Sequence, residues 1–178
     1  GTLDIGHSEV LLSFDGITDL EGGSAVDEFT VKSGGFITGS IDGGSSNPLN
    51  AIEDRLIFSA EVQQASVALE KISSNLLYIK NIERVVAQNS SPNNNSIHSG
   101  NSASYRWVTS GSNAGTVFHN GALELERSVK FDNFGNLRGG SASDRFLINH
   151  AISGVIDGGL GEDFADYSQN LENIDVNL

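Results

Sequence analysis

The sequence predicts an all-β chain: a parallel β-solenoid, of the β-helix or β-roll kind, built from stacked short strands, with a β-sandwich as the alternative. Three observations carry that expectation: a long-range duplication, Gly-Gly turns at regular intervals, and apolar residues spaced two apart beside them. "FDGITDLEGGSAVDEFTV" (14–31) lies over "FDNFGNLRGGSASDRFLI" (131–148) with 9 of 18 positions identical at an offset of 117 residues. "ITGSIDGG" (37–44) matches "ISGVIDGG" (152–159) at 6 of 8 positions with an offset of 115, so a two-residue deletion reconciles the blocks. Unrelated positions of ordinary composition agree about one time in fifteen, which removes chance as an explanation. Duplication with closely spaced turns favours a solenoid over a sandwich. The expected organisation is one segment, 1–178, with a first copy at about 14–50, a second at about 131–168 and a less regular stretch, 52–105, between them.

Taken along the chain, each element has a local reason. In "DEFTV" and "DRFLI" the pairs Phe29/Val31 and Phe146/Ile148 share one face of a strand. The Gly-Gly pairs are expected to supply positive φ at the turns. Aspartates beside them can accept hydrogen bonds from backbone N–H groups that turns leave unpaired. The segment 59–88 also fits a helix, with Val62, Ala65, Leu69, Ile72, Leu76 and Ile79 spaced by three and four. Ser73-Ser74-Asn75 interrupts that pattern, and Val67/Leu69 and Leu77/Ile79 fit strands; strands are expected, with a short helix as the exception. "QNSSPNNNSIHSGNSASY" (88–105) reads as an exposed, mobile polar loop. "GALELERSVKF" alternates, with Leu123, Leu125, Val129 and Phe131 on one face and Glu124, Glu126 and Lys130 on the other. The terminal "NIDVNL" places Val176/Leu178 after the second copy as Val67/Leu69 follow the first.

Composition narrows the function classes. A net charge of −13 provides no basic patch to displace counterions from nucleic-acid phosphates, and anionic membranes repel such a surface. No cysteine is present, which excludes disulfides, thiol nucleophiles and cysteine-ligated metals. No run approaches the length of a membrane span. The chain starts at Gly1, contains no methionine, and is expected to be an excised piece of a longer protein.

"WVTSGSNAGTVF", "FDNFGNLRGGSASDRFLI" and "ISGVIDGGLGEDFADYS" together resemble repeat regions of very large exported bacterial proteins of the filamentous-haemagglutinin-like, haemolysin-like and leukotoxin-like kinds. The resemblance covers roughly 14–50 and 105–178. It implies a secreted or cell-surface location and a structural or adhesive role, with neighbouring repeats of the same polypeptide as partners and a host-cell or matrix glycan as a further one.

The glycine turns also resemble the calcium-binding nonapeptide of RTX β-rolls, G-G-x-G-x-D-x-U-x, in which a hard cation collects six to eight oxygens. On that resemblance calcium is the one cofactor to consider, with Asp27, Asp144 and Asp163 as its ligands. Ala25 and Ala142 replace the third glycine, Ala165 occupies the large apolar position, and Pro48 stands where an aspartate belongs. The turns stand about 20 residues apart rather than nine, so turn capping is the favoured role for these carboxylates and a calcium-dependent module is the rival. A polysaccharide-active enzyme comes third. The acidic pairs Asp163/Asp166, Glu162/Asp163 and Glu53/Asp54 fit a solvated face, the histidines His7, His98, His119 and His150 are scattered, and no enzyme is expected. Tyr105 and Trp107, beside Arg106, are the candidates for stacking on a sugar.

Overall fold

The computed structural model describes residues 17–35, 37–44, 53–73, 75–119 and 128–172, and the backbone of 2–3 and 12–13. Leu123, Leu125, Glu124, Glu126, Pro48, His7, Val176 and Leu178 lie outside the described residues.

The chain is all-β. β1 (Thr2–Leu3) and β2 (Leu12–Ser13) form an antiparallel pair. A seven-stranded sheet contains β3 (Leu20–Glu21), β5 (Ser40–Asp42), β7 (Ser66–Ala68), β8 (Leu77–Lys80), β10 (Ser96–His98), β14 (Asn136–Arg138) and β16 (Ile156–Asp157). An eight-stranded sheet contains β4 (Glu28–Val31), β6 (Arg55–Phe58), β9 (Arg84–Ala87), β11 (Tyr105–Gly111), β12 (Ala114–His119), β13 (Ser128–Asp132), β15 (Arg145–Leu147) and β17 (Phe164–Asp166). Their spatial orders are β16-β14-β10-β7-β8-β5-β3 and β17-β15-β11-β12-β13-β9-β6-β4.

Pairing throughout the seven-stranded sheet is parallel. The eight-stranded sheet is parallel except where β12 runs against β11 and β13. The chain repeatedly takes one strand in the first sheet and the next in the second: β3 to β4, β5 to β6, β8 to β9, β10 to β11, β14 to β15, β16 to β17. We call each such pair a layer. Two departures interrupt the order. After β11 the chain stays in the eight-stranded sheet for β12 and β13, which fill the place between β11 and β9. After β6 the chain runs ahead to lay down β7, then steps back to place β8 between β7 and β5.

The duplicated blocks occupy equivalent places. Leu20, Asp27 and Phe29 of the first copy stand in the β3–β4 layer as Leu137, Asp144 and Phe146 stand in the β14–β15 layer. The inward rows are apolar, as period-two alternation requires. Phe29, Leu56 and Val85 align with Phe131 across four parallel strands. Val67, Ile97, Leu137 and Ile156 align in the other sheet. Phe29 and Phe146 are 5% and 1% exposed, as their alternation predicts, and side chains from both sheets form one continuous core.

Two expectations need correction. The run 88–105 is not an exposed loop: it contains a 3-10 turn, Pro92–Asn94, and then β10, whose Ile97 is fully buried. Its asparagines are spent inside. Buried Asn95 accepts from Ala65 N–H (3.0 Å) and Asn89 Nδ2 (2.8 Å), and donates to the Asn133 carbonyl (2.8 Å). Secondly, positive φ does not recur at every Gly-Gly pair. Gly34 (φ +78°), Gly44 (φ +91°) and Gly159 (φ +85°) have it, and neither Gly22-Gly23 nor Gly139-Gly140 does. Gly22 and Gly139 are required for a different reason, close approach: a Cβ there would strike the carboxylate of Asp27 or Asp144 and a carbonyl of the adjoining layer. The middle region is built of strands, as expected, and no α-helix occurs among the described residues.

Candidate functional site

The acidic residues singled out in the sequence converge on one corner, where the chain passes from the seven-stranded to the eight-stranded sheet. There four of the layers hand a backbone N–H to a carboxylate of the layer beside them. Asp27 N–H donates to Asp54 Oδ1 (2.8 Å), and Asp54 N–H to Glu83 Oε2 (2.7 Å). In the second half Tyr105 N–H donates to Asp144 Oδ1 (2.6 Å), and Asp144 N–H to Asp163 Oδ1 (2.8 Å). The second oxygen of Asp27 and of Asp144 turns back into its own layer, accepting Gly23 N–H (2.7 Å) and Gly140 N–H (2.9 Å). The Asp144 carboxylate thus closes a tight turn and ties two layers together.

The alternate turns are built differently. At Gly44 and Gly159 the N–H donates to Oδ1 of Asp42 (3.0 Å) and Asp157 (3.1 Å), and the positive φ of each glycine turns the following chain away. Asp54 is consequently left with a buried Oδ2 that has no hydrogen-bond partner. Burial, reinforced by Asp27 nearby, pushes the Asp54 carboxyl above its ordinary range. Glu83 and Asp144 are raised too, chiefly by burial. Asp54 and Glu83 are not distinguished by the glycine-turn pattern, because nine residues separate Gly44 from Asp54, rather than the three that separate Gly159 from Asp163.

Asp27, Asp144 and Asp163 therefore lie on a common corner, but in successive or separated layers, each engaged by backbone N–H groups. Among the described residues no three His, Cys, Asp or Glu side chains come together as a set that could hold a metal ion. Tyr105 and Trp107 are adjacent on one inward face. Trp107 is fully buried, stacked on Phe146 with ring centroids 5.5 Å apart and set edge-on to Phe131 at 6.3 Å. The sugar-stacking role expected of this pair has no exposed ring to work with, because the alternation that aligns Trp107 with Phe146 points it into the core. Tyr105 is 2% exposed and gives its hydroxyl to Glu70 Oε1 (2.8 Å).

The early placement of β7 breaks the corner between Glu83 and Asp144, and a cleft of about 350 Å³ opens there, bordered by Glu70, Lys80, Glu83, Ser102, Tyr105 and His119. Glu70 fills part of the gap. It accepts Asn101 N–H and Ser102 N–H (both 3.1 Å), the Ser102 hydroxyl and the Tyr105 hydroxyl. Burial works against its charge, yet the Ser102 and Tyr105 hydrogen bonds outweigh it and hold Glu70 below the usual range. Burial and the Glu70 contact push the Tyr105 phenol strongly upward. A carboxylate so fully engaged acts as a corner brace, continuing the work of the aspartates.

The remaining acidic candidates are dispersed. Glu53 faces outward and pairs with Arg84 (3.0 Å) and with Lys130, while Asp54 beside it faces inward. Asp166 pairs with Arg145 at 3.5 Å. His98 is half-buried with Nε2 3.2 Å from the Ser96 hydroxyl, and burial lowers its pKa. Comparison with protein-family models, curated proteins and solved structures finds no match to this chain.

Proposed function

We propose that the chain is a parallel β-solenoid segment serving as a structural unit, a spacer or adhesive stalk, in a larger secreted or cell-surface bacterial protein. The observation that carries this reading is the corner, where Asp54, Glu83, Asp144 and Asp163 each accept a backbone N–H from the adjoining layer and Asp144 also closes the turn within its own. Such a device adds layers without a site, and its geometry serves length and rigidity. Parallel pairing along nearly the whole of both sheets supports a solenoid over a sandwich, whose sheets are antiparallel. The outward face of the eight-stranded sheet, with Glu53, Arg84, Lys130 and Asp132 cross-linked in ion pairs, suits a solvated stalk.

Single-molecule pulling tests it. Repeat architectures hold together through nearest-neighbour contacts and come apart in units. The Gly22-Gly23 and Gly43-Gly44 turns stand 21 residues apart and the Gly139-Gly140 and Gly158-Gly159 turns 19, so each released layer should add about 70 Å of contour length at about 3.5 Å per residue. A single rip of about 600 Å for the whole chain would contradict the reading.

A further inference from the structure

The duplication lets one end of the stack be compared with its own covered counterpart. β5 and β6 follow the block 14–31 as β16 and β17 follow the block 131–148. The β5–β6 layer is covered on its far side by β8–β9, in parallel register: Ser40 on Tyr78, Ile41 on Ile79, Arg55 on Arg84, Leu56 on Val85. Two corner bonds complete that interface, Gly43 N–H to the Lys80 carbonyl (2.9 Å) and Asp54 N–H to Glu83 Oε2. On the β16–β17 layer nothing among the described residues takes those places; β16 pairs only with β14 and β17 only with β15. The exposures follow. Ser40 is 7% exposed and its counterpart Val155 is 53%, and Asp54 is buried where Asp163 is exposed. Leu160, Phe164 and Leu171, 71%, 55% and 100% exposed, gather in and just beyond this same layer.

We infer that the β16–β17 edge is a docking surface for a strand–corner–strand segment of the β8–β9 kind, laid on in parallel and carrying an acidic residue at its corner. The established β5–β6 interface supplies the chemistry. A carbonyl at the position of Lys80 receives Gly158 N–H, a carboxylate at the position of Glu83 receives Asp163 N–H, and apolar residues at the positions of Ile79 and Val85 cover Ile156 and Ala165. Phe164 N–H donates to the Asp144 carbonyl, and the Asp166 carbonyl accepts from Ile148 N–H. Strand alternation therefore turns the N–H and C=O of Ala165 to the free side. This rests on the layered reading given under Proposed function.

The probe is a fluorescent peptide of residues 75–90 of this chain, "NLLYIKNIERVVAQNS", titrated onto the full chain and followed by anisotropy. Saturable binding is expected. Ala165→Pro, which deletes an edge donor while sparing the bonds to β15, should raise Kd about tenfold or more, and a Glu83→Gln peptide should bind about threefold or more weakly. Val155→Asp serves as a second edge variant, at a residue already exposed; either variant counts if its thermal melt matches the parent's. No saturation by about 1 mM peptide, or equal binding by a folded variant, overturns the inference. Self-association of the chain without peptide, abolished by the same substitutions, would assign the edge to a second copy and overturn it as well. Absent peptide binding with stepwise unfolding under force would defeat this inference alone, whereas a single rip would defeat the layered reading beneath it.

Discussion

Asp54 and Asp144 hold the same corner but differ in how their oxygens are partnered. Asp144 spends both oxygens on backbone N–H groups, and Asp144→Ala strands two buried donors. That substitution should cost about 2–4 kcal/mol in urea denaturation, and Asp144→Asn distinctly less. Asp54 has one oxygen in use and one buried without a partner. Its folded-state pKa is raised from the ordinary 3.8, so the folded protein binds that proton more tightly than the unfolded chain. Stability from this group is present at low pH and falls as pH rises through the window that begins at the unfolded value. Asp54→Asn keeps the Oδ1 acceptor for Asp27 N–H and does not titrate. The variant should therefore be the more stable one at pH 7, with its advantage shrinking toward pH 4, measured as urea midpoints across that range. A variant equally unstable at both pH values would refute the uncompensated-charge account.

At the scale of elements, the strands differ in how visible they are before folding. β4 and β15 are legible because Phe29 and Phe146 alternate with polar neighbours beside a Gly-Gly turn. β10 is not, because "SIH" offers one apolar side chain within a run of Asn and Ser, and only its register between β7 and β14 buries it. What looked like loop chemistry, the asparagines of 88–105, is hydrogen-bond satisfaction inside the corner opposite the aspartates. Asn95 makes four such bonds. Asn95→Ala should cost at least about 3 kcal/mol, since several buried partners lose their mates together, whereas Asn94→Ala, on an exposed residue of the 3-10 turn, should change stability by less than about 0.5 kcal/mol. Thermal or urea melts of the two variants compare neighbours differing only in burial. The convergence of Asp54, Glu83 and Glu70 was beyond the sequence pattern for a related reason: each reaches the corner from a different spacing, nine residues after Gly44 for Asp54 and with β7 running ahead of β8 for the other two. A single Trp in such a chain is more often a core residue than a sugar platform, and strand period sends Tyr105 and Trp107 inward together, both buried.

For the whole molecule, two outcomes separate a stalk from a cation-dependent module. A calcium site with Kd of about 10 µM would add about 2.7 kcal/mol at about 1 mM calcium, a shift of several degrees in melting temperature. With the carboxylates committed to backbone donors, the melting temperature is expected to stay within about 1 °C on adding millimolar calcium. The more direct test is residue-resolved amide hydrogen exchange at the corner. The amides of Asp27, Asp54, Tyr105 and Asp144, each bonded to a carboxylate in the adjoining layer, should exchange at least about a hundredfold more slowly than that of Asp163, whose N–H has no acceptor among the described residues. Equal rates at all five would mean that carboxylates do not join the layers, and the account of this chain as a stacked structural unit would fail with them.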